Sequence, residues 1–142
     1  MPGVSLADLK LKQYEVYRSH QRIAREFSVK RIALAGDAAH LTTTNGGMGL
    51  NSGVQDAAAL VKALLAAISL NSDQPIAAYA KERKEFCTNF LQPTTTTNHK
   101  TVDNPDREAR SSRLNELLAE TRNPEIVKQV IARASMITEL VK

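Results

Sequence analysis

The sequence predicts an α-dominated α+β chain, with two or three short strands leading into a glycine-rich loop and about four helices behind it. Three observations predict this. A short apolar run, Ile32-Ala33-Leu34-Ala35, ends at Gly36. Four of the chain's six glycines, Gly46, Gly47, Gly49 and Gly53, then cluster together. Beyond them apolar residues recur three or four apart from Val54 to Ile68, the spacing of a helix face. At 142 residues the chain is expected to be one domain, with strands and loop over 1–50 and helices over 51–142.

Tyr14 to Val16 has strand-favouring side chains. Arg18 to Phe27 fits either a helix face or an extended segment. Arg31 to Ala35 is the clearest strand. The helix expected over Val54–Leu70 can be capped by Asn51 or Ser52, with Asp56 in its first turn, and Asn71-Ser72-Asp73 stops it. Pro75 suits the first turn of a second helix, which places Ile76, Tyr79, Phe86 and Phe90 on one face and should kink or end at Pro93. Thr94 to Thr97, β-branched and hydroxylated, predicts an irregular join. Asn104-Pro105-Asp106 reads as a turn, followed by helices over Arg107–Thr121 and Pro124–Leu140.

Composition narrows the function classes. The net charge is +4, but Lys and Arg are interleaved with Asp and Glu, and no basic run alternates with stacking aromatics, so nucleic acid is not an expected partner. Aromatics make up 4%, which points to a core of Ala, Leu, Ile and Val. Cys87 is the single cysteine, so no internal disulfide forms; its helical setting suits a buried small hydrophobe, and a reducing compartment fits. No signal-peptide pattern and no uninterrupted apolar run of membrane-spanning length is present. The expectation is a cytoplasmic chain without a membrane partner.

The candidate chemistry lies in and before the loop. Glycine allows positive φ and close approach of another molecule. The loop delivers its last residues to a helix N-terminus, whose unpaired N–H groups and dipole favour electron-rich or anionic partners. Asp37 could accept hydrogen bonds from ligand hydroxyls or cap loop N–H groups. His40 could be a general base or a satisfied structural histidine. His20 and His99 are remote from it in sequence, and no metal-ligand spacing occurs. The loop is neither a G-x-G-x-x-G dinucleotide fingerprint nor a Walker loop, and no nucleophile elbow exists.

Two stretches carry a longer signal: Arg31-Ile32-Ala33-Leu34-Ala35-Gly36-Asp37-Ala38-Ala39-His40, and Gly46-Gly47-Met48-Gly49-Leu50-Asn51-Ser52-Gly53-Val54-Gln55-Asp56-Ala57. Together they resemble the second FAD-binding motif of the single-component flavoprotein aromatic hydroxylases, NAD(P)H-dependent monooxygenases similar to p-hydroxybenzoate and salicylate hydroxylases. Tyr79-Ala80-Lys81-Glu82-Arg83 resembles the helix that follows. The resemblance implies a fragment of the flavoprotein monooxygenase fold. It implies FAD as cofactor, with Asp37 on the ribityl chain and the loop's end, Gly47, Gly49, Leu50 and Asn51, presenting backbone N–H groups to the isoalloxazine. The implied chemistry is hydroxylation of an activated ring with O₂. Thr44 stands where the family usually has proline, and Ala59 where it often has Asn. The family's N-terminal G-x-G-x-x-G unit and its Asp-Gly segment have no counterpart here, so the resemblance spans nearly all of this chain but only about the C-terminal third of the family.

Three readings remain open on the sequence. In the first, the chain is the flavin-facing segment of an FAD-dependent monooxygenase acting on an aromatic or polyketide-like small molecule, either cut from a longer protein or completed by a second chain. In the second, it is a truncated relative catalysing a cofactor-free cyclisation or isomerisation, with His40, Asp37 or His20 as acid or base. In the third, it is a non-catalytic ligand-binding protein that homodimerises through its uncovered helix face. Flavin absorbance separates the first from the others.

Overall fold

The computed structural model describes residues 12, 13 and 15–135. Four two-residue strands come first: β1 (Arg22–Ile23), β2 (Ser28–Val29), β3 (Ile32–Ala33) and β4 (His40–Leu41), with a 3₁₀ turn at Gly36–Ala38 before β4. They form two separate antiparallel ladders. β1 pairs with β4, Ile23 opposite His40, and β2 pairs with β3, Val29 opposite Ile32. The expected Arg31–Ala35 strand is therefore shorter than predicted. Leu34 leaves the ladder, donating its N–H to the Phe27 carbonyl at 2.8 Å and accepting from the Tyr79 hydroxyl at 2.8 Å. Tyr14 lies outside the described residues, and Val16 is exposed and in no strand.

The helices follow as α1 (Met48–Leu70), α2 (Gln74–Phe86), a π-turn (Cys87–Leu91), α3 (Gln92–Val102), α4 (Arg107–Glu120) and α5 (Pro124–Ala134). α1 starts six residues earlier than the periodicity predicts. Gly47, in the left-handed region at φ 62°, is the N-cap and makes no side-chain cap bond. Neither Asn51 nor Ser52 caps the helix; both lie inside it, and Asp56 falls two turns in rather than in the first turn. Asn71 ends α1 in the left-handed conformation, its N–H bonded to the Ala67 and Ile68 carbonyls.

α2, the π-turn and α3 follow one another without an interrupting loop, so Pro93 does not end the helical run. The wider i→i+5 turn, with the Gln92 N–H reaching the Cys87 carbonyl, absorbs the register change that a ring without an N–H demands. The threonine run is helical rather than irregular. Thr95, Thr96 and Thr97 donate to the carbonyls of Leu91, Gln92 and Pro93 at 2.9, 2.7 and 3.0 Å. The Gln21 side-chain amide bridges Thr95 Oγ1, Thr96 Oγ1 and the Gln92 carbonyl. Tertiary hydrogen bonds outweigh threonine's weak helix propensity. At α4 the Asp106 carboxylate caps the Glu108 and Ala109 N–H groups.

α1 packs on α2, and the core around them combines the expected Ala, Leu and Ile with Phe27, Met48, Tyr79, Cys87 and polar groups. Buried there are Phe27, Ala39, Met48, Ala63, Ile76, Tyr79, Ala80, Cys87 and Leu91, with His40, Ser52, Asp56, Arg83 and Thr95 among them. The aliphatic stripe of α1 faces outward, with Leu50, Val54, Val61, Leu65 and Ile68 all exposed.

Candidate functional site

Gly36 begins the 3₁₀ turn at φ 59°, a conformation that favours glycine. The turn lies against the second turn of α1, where Gly53 is the contact. A Cβ on Gly53 would stand 3.4 Å from the Gly36 Cα, so two glycines permit this backbone crossing. Asp56, one helical turn further on and fully buried, fastens the crossing. One carboxylate oxygen accepts the Gly36 N–H at 2.9 Å and His40 Nε2–H at 2.7 Å; the other accepts Arg83 Nε–H at 2.6 Å. Burial alone would raise the Asp56 carboxyl; the bonds from His40, the Gly36 N–H and Arg83 outweigh it and hold the group below the ordinary carboxylate range. Ser52 Oγ sits 3.4 Å from His40 Nε2 and 3.5 Å from Arg83 Nη2, closing the cluster. Arg83 also stacks over Phe86, and His40 over Phe27. His40 Nδ1 is buried without a partner.

This cluster divides the site residues predicted from sequence. His40 is 2% exposed and bonded to Asp56, the structural alternative of its two readings, and it does not face solvent. Asp37, three residues before it, is exposed and caps no N–H; Asp56 does that for Gly36. His20 is on the surface with Nδ1 3.5 Å from Arg22, apart from both. Gly47, Gly49, Leu50 and Asn51 come together at the start of α1. There the first-turn N–H groups have no side-chain cap, Leu50 is 79% exposed, and nothing lies within 4 Å of a Cβ built on Gly47. An uncapped, open helix N-terminus can receive hydrogen-bond acceptors and partial negative charge.

Sequence reasoning did not find Asp56, Arg83 or Ser52 as site residues, because their partners lie 12–31 positions away, on other elements. It also left His99 isolated, whereas the loop is tied to α3 through it: Asn45 Nδ2 lies 2.9 Å from His99 Nδ1 and 3.4 Å from Asp103 Oδ2. Thr43 Oγ1 donates to the Thr95 carbonyl at 3.3 Å. Behind the loop is an open cavity of about 440 Å³ with Gly46, Met48, Pro93, Arg113, Leu117 and Val130 in its walls. Cys87 is buried as expected, and burial pushes its thiol up to about 12. Among the described residues no group of His, Cys, Asp and Glu is arranged to hold a metal ion.

The strand Ile32–Ala33, the turn carrying the exposed Asp37 and the uncapped start of α1 follow one another along the chain. A family model described as an FAD binding domain matches residues 2–94. The chain belongs to this FAD-binding-domain family. It is 41% identical over 100 residues to para-nitrophenol 4-monooxygenase of Pseudomonas sp. (strain WBC-3), a match covering 69% of this chain and 25% of that protein. It is 46% identical over 71 residues to 3-(3-hydroxy-phenyl)propionate/3-hydroxycinnamic acid hydroxylase of Mycobacterium avium (strain 104), covering 49% of this chain and 12% of the relative. The crystal structure of p-nitrophenol 4-monooxygenase PnpA from Pseudomonas putida DLL-E4 superposes with a TM-score of 0.80 at 30% identity, over 94% of this chain and 35% of that one. The FAD-binding-domain chain therefore has the fold of part of a flavoprotein aromatic hydroxylase, helical segments included, and spans about a quarter of the p-nitrophenol enzyme's length.

Proposed function

We propose that this chain forms the flavin-facing wall of an FAD-dependent monooxygenase that hydroxylates an aromatic or polyketide-like small molecule, with the ADP-binding half supplied by further sequence of the same protein or by a complementing polypeptide. The observation that carries the reading is the open N-terminus of α1, uncapped behind a left-handed Gly47 and joined through the Gly36–Gly53 crossing to the turn that bears an exposed Asp37. The donor set suits the isoalloxazine and ribityl part of FAD: N–H groups at Gly47, Gly49, Leu50 and Asn51 toward an electron-rich ring edge, and a carboxylate at Asp37 for ribityl hydroxyls. A Cβ on Gly49 would press Thr42 Oγ1 at 3.2 Å, so glycine there keeps the loop close to the helix start. Bound FAD would supply the redox chemistry. The chain's own part is to orient the ring, to stabilise negative charge on it through the helix start, and to hold the sugar-like chain. His40 acts through Asp56 on the turn that carries Asp37, and His20 has no part in this face. A cytoplasmic location is part of the proposal, supported by a lone, buried, unpaired cysteine.

The cofactor-free alternative draws no support from the described residues, since His40 is buried against Asp56 and does not face solvent. The test is an FAD titration of the purified chain, alone and co-purified with a complementing FAD-binding polypeptide, followed by flavin absorbance and fluorescence. The expected result is saturable uptake that Asp37→Ala weakens by about tenfold or more. Absence of flavin under both conditions, or uptake indifferent to Asp37→Ala, would defeat the proposal.

A further inference from the structure

The loop before α1 has little to stiffen it from within. No proline lies between Gly36 and Gly53, so no ring fixes φ along it. Its bend is a four-residue turn, Thr44 to Gly47, closed by the Gly47 N–H on the Thr44 carbonyl at 3.2 Å, and both glycines in it have positive φ, 112° at Gly46 and 62° at Gly47. α3 holds this bend from outside. Thr43 Oγ1 donates to the Thr95 carbonyl at 3.3 Å. Asn45, at the corner of the turn, places Nδ2 2.9 Å from His99 Nδ1 and 3.4 Å from Asp103 Oδ2. Gly46 lies so close to α3 that a Cβ on it would stand 2.5 Å from Asn98 Nδ2. Asn98, His99 and Asp103 follow Thr95 by three, four and eight positions, the spacing of one helix face, with Asp103 as the C-cap. The FAD binding domain model that matches this chain stops at residue 94, so the whole of this face lies beyond it.

We propose that the polar face of α3 positions the flavin-facing loop: the His99–Asp103 pair holds the Asn45 amide and so sets the bend that leads into Gly47, Gly49 and Leu50. Asn45 and His99 are positioning residues in this account. The inference rests on the flavin reading above for what the bend receives, and on the α3 contacts for how the bend is held. His99 Nδ1 lies 2.7 Å from Asp103 Oδ2 as well as facing Asn45. A ring nitrogen donates or accepts, but does not do both. Bare, Nδ1 accepts from the Asn45 amide. Protonated, it donates to Asp103, whose Oδ2 accepts from the same amide. The pair therefore offers Asn45 an acceptor in either state. On the other side of the bend Met48 is buried at the start of α1, and only Gly47 lies between it and the residues that α3 holds. The two left-handed glycines are thus fixed at both ends, by α3 at Asn45 and by the core at Met48.

The test measures amide hydrogen exchange and riboflavin binding in the full 142-residue chain. Riboflavin is the probe because it carries the isoalloxazine and ribityl groups without the ADP half. His99→Phe keeps a ring and removes the polar atoms; His99→Asn returns a polar atom near the place of Nδ1. The expected result is exchange at the Gly47 N–H faster by about fivefold or more in His99→Phe, a riboflavin Kd weaker by about fivefold or more, and recovery of both in His99→Asn. Asn45→Ala should reproduce the loss from the loop side. Exchange at Ala63, buried in α1, should be the same in every variant, which separates the loop from the fold at large. Gly47 exchange unchanged in His99→Phe and Asn45→Ala would overturn the proposal. So would faster exchange with an unchanged riboflavin Kd, an equal acceleration at Ala63, or a loss that His99→Asn does not restore. Protection lost in His99→Phe and regained in His99→Asn, with no riboflavin bound by the unsubstituted chain, would uphold the α3 support and defeat the flavin reading. Riboflavin bound, with exchange and Kd both indifferent to His99→Phe, would do the reverse.

Discussion

Replacing Asp56 should cost this chain more stability than any other single polar substitution in the described structure. The carboxylate is fully buried and accepts three hydrogen bonds of 2.6, 2.7 and 2.9 Å, from Arg83, His40 and the Gly36 N–H. Asp56→Ala leaves the guanidinium of Arg83, 6% exposed, without its counter-charge and orphans the other two donors. Removing one partner of a buried pair costs about 3–5 kcal/mol, against a total of about 5–15 kcal/mol for a typical domain. Asp56→Asn is the more measurable variant, because it keeps the shape and one acceptor oxygen but presents an N–H₂ to a site built of donors, for an expected loss of about 2–3 kcal/mol. Urea unfolding followed by circular dichroism gives both values. Amide hydrogen exchange at Gly36 reports the turn directly. A cycle with Arg83→Met separates the pair from its surroundings, and a coupling of about 1.5 kcal/mol or more is expected. A loss below about 1 kcal/mol for Asp56→Asn, additive with Arg83→Met, would refute the argument that this carboxylate joins the turn, α1 and α2.

Three further outcomes follow from the same geometry. Gly47→Ala should destabilise by about 1–2 kcal/mol through its left-handed backbone alone, since the space around it is open, and Gly47→Asn by less; urea midpoints check both. Asp106→Ala should cost about 1 kcal/mol and shorten α4, read by circular dichroism, because two N–H groups lose their cap. Stability should vary with pH at both ends. Asp56 has a folded pKa below its unfolded value near 3.8, so its contribution is complete above that value and is lost as pH falls toward the folded one; Asp56→Asn should flatten this limb. Cys87 and Tyr79, pushed up to about 12 by burial, ionise more readily unfolded, so stability should fall as pH rises past 9. The Cys87 thiol should resist thiol reagents until the chain unfolds.

Elements whose cause is local could be read in the chain. The glycine loop, the long helix after it, the stop at Asn71, the helix start at Pro75 and the turn before α4 at Asn104–Asp106 are near-neighbour effects of φ, spacing and orphan N–H groups. The motif around Asp37 and Gly49 pointed to the FAD-binding family because its residue types serve one loop geometry. The expected end at Pro93 and the expected irregular join at Thr94–Thr97 failed for the opposite reason. Propensity predicts a break there, but a π-turn, back-bonded hydroxyls and the side chain of Gln21 restore the helix, and Gln21 is more than 70 residues away.

The amino-acid order alone determined that a strand-like run, a glycine bend and an amphipathic helix occur in succession, and that this succession is a flavoprotein motif. It also determined that α1 has an aliphatic stripe, since helical spacing is a property of the chain itself. Only the tertiary structure decided which way that stripe points and which side of α1 is buried. α2 covers the side bearing Ala63 and Asp56, where small residues and an ion pair allow close approach, and leaves Val61 and Leu65 uncovered. It likewise decided that His40 belongs to the core while Asp37 faces out. The partners of a buried carboxylate are chosen by distance in space, and separation along the chain carries no record of that distance.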